Sequence, residues 1–424
     1  MKTSSALKIV VVCLVLMAVV LAACAAPEPA PTPTPTPEKK TVTVTIGALF
    51  DMSGPTASGT APAVAPFYDI IDYGNKQGGL DWSGGKLLIE VDTVDHRYDP
   101  AISYPAYDKM AAKGYPLILT HASFDNVGLL DKAARDKIVL LTTSATSAAL
   151  YEPGWVFTYV PSYADNFAGF LDWVKETWEG PQPAKIASLT WDNPWGKAHL
   201  CAVDYVKEVG LEYVGTEYCA TAPTDVTPQL ARLAKAGADY VWNQSTAPVP
   251  TILKDMYRTN FPGTFVASNN TPIDQYIAVV GGEVAAGVIH PSSTIKYMAE
   301  PDSEAWAYLQ KVQLEVKGHT MDIKVTHAPL GTLGGLVTQW GLPRALDAAG
   351  GLDNLSGQHL YDALLTMKDV DFMGNCKPVT LSPTERRGSM GVKIYQFQPD
   401  GSCKALTDWR TCPDALHKYA ACAE

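Results

Sequence analysis

Strands that alternate with helices constrain the fold of this chain more than any other feature. In the first block, strands are expected at 41–50, 86–94, 116–123 and 138–144, and the helices between them at 65–79, 101–114 and 126–137. Strands joined by helices of this length are typical of parallel βαβ units. We therefore predict an α/β fold built on parallel sheets.

A second block repeats this pattern after residue 165. Its helices are expected at 166–178, 196–210, 226–237 and 249–260, and its strands at 185–191, 211–219, 238–245, 264–269 and within 281–293. The chain then turns mainly helical and gives one more strand at 391–398. We predict two Rossmann-like lobes, 41–160 with 290–388 and 161–289 with 389–424, joined by three hinge crossovers.

The first residues of the chain predict export and a lipid anchor. Two lysines precede an apolar run at 9–23, whose 15 residues are fewer than the ~20 that a membrane span needs. A charged start, a short apolar core and small residues are typical of a signal peptide. The stretch LAAC at 21–24 resembles the lipobox of bacterial lipoproteins, which implies removal of 1–23 and lipidation of Cys24.

A Pro/Thr linker follows at 24–40 and has no residues that could form a core. Such a segment is expected to be extended and solvated. At ~3.1 Å per residue it could hold a folded body up to about 50 Å from a membrane surface. The sequence thus predicts an anchored protein that reaches a partner in the same membrane.

Charge and size narrow the class of protein further. The net charge of −11 becomes −13 once Lys2 and Lys8 are removed with the signal peptide. An acidic chain without Lys/Arg runs is not expected to bind nucleic acid, because phosphate binding needs clustered cations. The remaining ~380 residues are enough for two domains.

Six cysteines follow Cys24, and an even number in an exported chain predicts disulfides. Fifteen pairings are possible for six cysteines. Nearness in sequence favours the pairs Cys201–Cys219, Cys376–Cys403 and Cys412–Cys422. A structural zinc site is not expected, because the chain has no CxxC and no histidine at ligand spacing.

Several short motifs run through the chain in a fixed order. They are SGP at 53–55, NKQGG at 75–79, Asp92, DP at 99–100, LLTTSATSAAL at 140–150, WDNPWGKAH at 191–199 and DVTPQLARLAKAGADYV at 225–241. In this order and spacing they resemble the periplasmic solute-binding proteins of branched-chain amino acid (Leu/Ile/Val) ABC importers. The resemblance covers about 42–400.

The resemblance implies a type I periplasmic-binding fold that closes on its ligand by hinge bending. It implies a monomer that captures a small polar organic solute (an amino acid, amide or organic acid) and delivers it to an ABC permease. A receptor of the same fold that senses a ligand for a signalling partner is the alternative. No cofactor, metal or enzymatic activity is expected, since the GxSxG, HExxH, Walker and GxGxxG motifs are absent.

The ligand of an open parallel sheet lies beyond the carboxyl ends of its strands. Three first-lobe residues stand at such ends, and the resemblance assigns them to the acid end of the ligand: Ser123, Ser144 and Thr146. Phe50 and His121 also lie at first-lobe strand ends and are further candidates.

In the second lobe, Trp195 matches the aromatic residue with which the family covers the apolar part of the ligand. Other candidates follow two strands, namely Gln244, Ser245, Asn269, Asn270 and Asp274. Amino-acid binders of the family place an acidic side chain near this last loop to pair with the ligand's ammonium. If Asp274 points away, a buried amine would lack a counter-charge, and the ligand would be an amide, a urea-like molecule or an organic acid.

Overall fold

The computed structural model describes residues 39–323 and 328–423. The predicted signal peptide 1–23, the lipidated Cys24 and all but the last two residues of the linker 24–40 lie outside the described residues. Within the described ranges, no helix combines the length and the apolar character that crossing a membrane requires.

A six-stranded sheet forms the core of the first lobe, in the order β2-β3-β1-β4-β5-β6. Its strands are β1 (Lys40–Phe50), β2 (Leu80–Trp82), β3 (Gly85–Asp95), β4 (Leu117–Thr120), β5 (Val139–Thr142) and β6 (Val156–Thr158). All neighbours pair in parallel except β2 with β3. The C-terminal half of β1 is buried throughout, because a parallel sheet covered by helices has no solvated face.

The second sheet runs in the order β13-β12-β11-β10-β9-β7-β8, with β14 paired to β12. Its strands are β7 (Lys185–Trp191), β8 (Glu212–Cys219), β9 (Tyr240–Asn243), β10 (Thr264–Ala267), β11 (Ile289–Ser292), β12 (Gly391–Phe397), β13 (Cys403–Ala405) and β14 (Arg410–Thr411). Strands β7 to β11 pair in parallel, whereas β12 is antiparallel to β11. Both sheets are therefore rich in parallel pairs.

The helices follow the strands in each block. The first block contains α1 (Ala57–Lys76), α2 (Pro100–Ala112), α3 (Ser123–Gly128), α4 (Leu130–Asp136) and α5 (Ser147–Leu150). The second contains α6 (Tyr163–Thr177), α7 (Pro194–Lys197), α8 (Asp204–Glu208), α9 (Thr227–Ala236), α10 (Val249–Arg258) and α11 (Ile273–Val280). Later come α12 (Glu304–Lys317), α13 (Ala328–Ala349), α14 (Gly357–Leu364) and α15 (Ala415–Lys418), with 3₁₀ turns at Leu200–Ala202, Leu352–Asn354 and Ala420–Ala423.

The chain passes between the two lobes three times. It leaves the first sheet after β6 and builds β7 to β11 of the second. It then returns to α12 and α13, which pack on α1 of the first lobe, and re-enters the second sheet at β12. The residue numbers at which we divide the lobes, near 160, 290 and 388, stay a prediction.

Glycines allow α13 to pack closely on α1. A Cβ at Gly331 would lie 2.1 Å from the carbonyl oxygen of Ala63, and one at Gly335 would lie 2.9 Å from a methyl carbon of Ile70. Both distances are below contact, so only glycine fits at these two positions. The GTLGG stretch at 331–335 thus serves helix packing.

A buried arginine joins the segments that connect the lobes. Arg387, just before β12, places Nη1 2.7 Å from Asp165 Oδ2 at the start of α6. The same guanidinium contacts Glu385 at 2.6 Å and Asp414 at 3.0 Å. The start of α6, the segment before β12 and the C-terminal segment therefore all contact one side chain. Arg387 thus stabilises the region where the lobes connect.

The predicted disulfide pairing is wrong. The structure joins Cys201 to Cys422, which are 221 residues apart. Cys219 cannot reach Cys201 because its side chain points from the end of β8 into the core of the second lobe, where Sγ lies 3.5 Å from the carbonyl oxygen of Thr190. The Cys201 side chain instead faces the 3₁₀ turn Ala420–Ala423, the last turn of the C-terminal segment that follows β12, and this turn carries Cys422.

The other predicted disulfide cysteines are free, buried thiols: Cys219, Cys376, Cys403 and Cys412. Cys376 and Cys403 belong to different hydrophobic clusters, which rules out the predicted pair. Cys412 packs on α6 near Gly169 and remains unpaired while Cys422 bonds Cys201. Burial raises the pKa of the Cys219 thiol to about 11, which makes it unreactive.

Candidate ligand-binding site

A small cavity lies between the lobes, at the carboxyl ends of the parallel strands. Its lining comes from both sides: Thr56, Gly59, Thr60, Tyr98, His121, Ser123, Ser144, Tyr163, Trp195, Thr246 and Asn270. Its volume is about 30 Å³. The cavity therefore has room for a group of only a few atoms.

Two serines form the floor of the cavity in the first lobe. Ser123 follows β4 and Ser144 follows β5, and their hydroxyl oxygens lie 2.9 Å apart. Tyr163, the first residue of α6, donates its hydroxyl proton to Ser144 Oγ at 3.2 Å. Because adjacent parallel strands end at one edge of the sheet, loops that are separate in sequence bring these hydroxyls together.

The start of α1 forms a second wall, with Thr56, Gly59 and Thr60. The carboxylate of Asp51 positions it by accepting hydrogen bonds from the Thr56 backbone N–H and hydroxyl, both at 2.7 Å. The hydroxyls of Thr56 and Thr60 are 3.3 Å apart. Asp51 is 1% exposed and does not line the cavity. Its charge is held behind neutral hydroxyls.

Trp195, in the first turn of α7, covers the cavity from the second lobe. Asn193 caps this turn by accepting from the Gly196 N–H at 2.7 Å, and Gln244 donates to the Trp195 carbonyl at 2.5 Å. The Trp191 ring packs edge-on against the Trp195 ring with centroids 5.6 Å apart. These contacts fix the orientation of the indole.

Two buried polar atoms on the cavity wall have no hydrogen bond of normal geometry among the described residues. They are Nε1 of Trp195, which lies near the Tyr163 hydroxyl, and Oγ1 of Thr246, which lies near the Tyr276 hydroxyl. A buried donor without a partner is costly, and native proteins rarely leave one. Because an indole N–H can only donate, the cavity is suited to a ligand that presents an acceptor oxygen to Trp195.

Asn270 ties the second lobe to the first across the cavity. Its Nδ2 donates at 2.9 Å both to the carbonyl oxygen of Thr143, after β5, and to the hydroxyl of Tyr163. A second link joins the hydroxyls of Ser58 and Tyr276 at 3.2 Å. The lobes are thus hydrogen-bonded to each other around the cavity.

The lining carries no formal charge at neutral pH. Burial, reinforced by His96 and opposed by Asp51, lowers the pKa of His121 to about 4, so its ring is neutral. Burial, with the carboxylates of Asp125 and Asp51, raises the pKa of Tyr98 to about 12, so its hydroxyl stays protonated.

The acidic candidate Asp274 points away from the cavity. It forms an ion pair with Lys296 at 2.8 Å, and both side chains are almost fully buried. None of the described residues that line the cavity carries a carboxylate. Elsewhere in 39–323 and 328–423, no three His, Cys, Asp or Glu side chains gather in a way that could hold a metal ion.

Five of the eight predicted ligand residues line the cavity: His121, Ser123, Ser144, Trp195 and Asn270. Phe50 does not, because its ring lies in the first-lobe core, edge-on to Tyr68. Ser245 donates to Asn243 Oδ1 at 3.0 Å and lies behind the wall. Thr146 lines a neighbouring groove instead.

Two candidates named beside these eight have structural roles. Gln244 holds the Trp195 carbonyl, and Asn269 accepts from both the N–H and the hydroxyl of Ser293 at 2.7 Å.

Sequence reasoning missed six cavity residues: Thr56, Gly59, Thr60, Tyr98, Tyr163 and Thr246. The first three directly follow the SGP turn, a motif that could have indicated them. Thr246 comes one residue after the predicted Ser245. Tyr98 is placed by a left-handed backbone (φ 60°), and Tyr163 by the passage between the lobes, neither of which has a local sequence signal.

The sequence profile of the periplasmic binding protein family matches residues 43–402. No curated protein matches the chain in sequence.

Solved structures similar to this chain include proteins of ABC transporters. A branched chain amino acid ABC transporter protein from Thermus thermophilus with bound valine has a TM-score of 0.77 at 20% identity, covering 90% of this chain and 99% of its own. An ABC transporter substrate binding protein from Aeropyrum pernix has the same TM-score and identity, with coverages of 90% and 98%. A fatty acid ABC transporter substrate-binding protein from Thermomonospora curvata reaches 0.74 at 17% identity, with coverages of 89% and 95%.

Proposed function

The chain belongs to the periplasmic binding protein family, and from that premise we propose that it is an extracytoplasmic solute-binding protein of an ABC importer. It captures one small organic solute between its lobes and delivers it to a membrane permease. The observation that carries this proposal is a cavity lined from both lobes by hydrogen-bonding side chains and bridged by Asn270. Such a cavity couples solute binding to closure of the lobes.

The chemistry of the cavity favours a carbonyl or carboxyl group and disfavours an ammonium. The Trp195 N–H and the hydroxyls of Thr246 and Ser123 can donate to an acceptor oxygen. An ammonium would find no carboxylate, because Asp274 is paired with Lys296. Valine and fatty acids, for which two similar structures are named, both carry a carboxyl group. We therefore favour an amide or an organic acid over an amino acid.

The anchor belongs to the same proposal. A lipid on Cys24, after removal of 1–23, would hold a monomeric binding protein at the membrane that contains the permease. The Pro/Thr linker would give it the reach to dock. Globomycin treatment of expressing cells, followed by mass spectrometry of the N-terminal peptide, tests this part. An unmodified Cys24 in untreated cells would rule it out.

Calorimetric titration with amides, short carboxylates and amino acids tests the binding function. We expect a carbonyl or carboxyl compound to bind and Trp195→Phe to weaken it about tenfold, because the variant keeps the ring and loses the N–H donor. Trp191→Phe is the matched control, since Trp191 does not line the cavity and phenylalanine keeps a ring against Trp195. Its affinity should stay at the level of the unmodified protein.

Two results would contradict the proposal. If Trp195→Phe binds the solute as tightly as Trp191→Phe, the cavity is not the binding site. If the loaded protein fails to raise the ATPase activity of its reconstituted permease, it does not deliver the solute to an importer.

A further inference from the structure

We propose that the captured solute is amphipathic: its polar head occupies the central cavity, and an apolar tail lies in a groove that opens beside Ser123. This inference rests on the proposed function and adds the class of solute. It starts from a mismatch in size, because the cavity has room for only a few atoms and an adjoining groove is far larger.

The groove lies between the lobes, next to the cavity. Apolar side chains dominate its walls, with Tyr104, Phe124 and Val127 from the first lobe and Pro194, Ala198 and Leu200 from the second. Its volume is about 690 Å³, against about 30 Å³ for the cavity. Val127 lies on the open side of the groove, where it is 40% exposed.

The groove and the cavity share a residue. Ser123 lines both, and Thr146, two residues after the cavity serine Ser144, lines the groove. A head group bound to Ser123 would therefore lie beside the groove, close enough for a substituent to extend into it. This adjacency argues for a single extended ligand rather than a separate partner.

The far wall of the groove is held in place covalently. The disulfide between Cys201 and Cys422 contributes both of its cysteines, together with Ala421, to the lining. Among the described residues that line the groove, only Lys197 is charged, and its ammonium pairs with Asp192 at 3.0 Å while 46% of the side chain is exposed. A hydrocarbon chain would thus meet mainly apolar surface.

Two homologous series test this proposal: primary amides from acetamide to octanamide and carboxylates from acetate to octanoate, titrated into the full chain. Burying one methylene contributes about 0.8 kcal/mol, so affinity should rise roughly threefold to fourfold with each added carbon until the groove is filled. Val127→Gln should reduce the gain in affinity per added carbon and leave the affinity of the shortest members that bind unchanged. The matched control Val279→Gln changes a valine that is 68% exposed on α11, outside the groove, and should alter neither.

The outcomes separate this inference from the proposed function. Affinity that stays flat along a binding series would overturn the inference and leave the proposed function standing. Absence of binding by every member would overturn both. If Val127→Gln changes the sedimentation of the ligand-free chain, the groove is an interface between copies, and the inference is overturned.

Discussion

Gly59 is a residue at which the two lobes come into close contact at the cavity. A Cβ at this position would lie 3.2 Å from Thr246 Cγ2 and 3.4 Å from Pro272 Cγ, both in the other lobe. Gly59 stands inside α1, where glycine is a poor helix former. Lobe closure explains why glycine stands at this position. It weakens its own helix, but it permits the close contact across the cleft.

Gly59→Ala should separate stability from binding. Alanine favours the helix by up to about 1 kcal/mol, so the free energy of unfolding should rise or stay unchanged. The added methyl group crowds the closed cleft at a cost of about 1 kcal/mol, which lowers solute affinity about fivefold. Denaturant unfolding and calorimetric titration measure the two effects. Equal affinities of the variant and the unmodified protein would show that the cleft does not close this tightly.

At the scale of elements, residues 196–210 differ from expectation. The sequence predicts one long helix at 196–210, but the chain forms α7, a 3₁₀ turn and α8 there. The 3₁₀ turn carries Cys201, to which the last turn of the C-terminal segment is bonded. A pattern of local periodicity cannot show this partner, because it comes from more than two hundred residues away.

Cys422→Ser should lower the free energy of unfolding by about 2–4 kcal/mol, because the bridge closes a long loop in the unfolded chain. Denaturant midpoints with and without reductant provide the measurement. Reductant should shift the unmodified protein to the midpoint of the variant and leave the variant unchanged. A variant as stable as the oxidised protein would mean that the bridge adds no stability.

The loops of the site illustrate what periodicity can and cannot predict. Strands β4, β5, β7 and β10 were expected within a few residues of their observed positions. The positions of Ser123, Ser144 and Trp195 follow from them. Helix α1 begins at Ala57, not at 65, because Asp51 organises the preceding turn and the helix accommodates Pro62 and Pro66. That earlier start places Thr60 at the cavity.

For the whole molecule, the predicted type I periplasmic-binding fold and its family are confirmed by the family match and the similar structures. Alternating elements in two blocks were sufficient for this prediction, because parallel βαβ units allow few arrangements. Contacts between the lobes, such as that of Asn270 with Thr143, depend on how the lobes meet. Such contacts leave no pattern in one sequence.

Two histidines, one in each lobe, should make the molecule sensitive to acid. Burial lowers the pKa of His121 to about 4 and that of His199 to about 3, from 6.5. Below about pH 6.5 the unfolded chain binds protons that the folded chain does not. The free energy of unfolding should therefore decrease as the pH is lowered, by up to about 1.4 kcal/mol per pH unit for each histidine. Above that pH neither histidine contributes to the slope.

Denaturant unfolding between about pH 7 and pH 5 measures this slope, above the range in which most carboxylates titrate. His121→Asn should reduce the slope by about half, because His199 still contributes its own share. A stability that is constant over this range would contradict the burial of both rings.

The bridge between Cys201 and Cys422 also sets an order of events during biosynthesis. A ribosome that adds about 5–20 residues per second needs roughly 10–40 s to extend the chain by the 221 positions from Cys201 to Cys422. Throughout that interval Cys219 is the nearest thiol available to Cys201, and joining those two would be a mistake that only thiol–disulfide exchange can undo. Maturation of this chain therefore needs an oxidant to accept two electrons when a disulfide forms, and thiol–disulfide exchange wherever Cys201 joins Cys219 first.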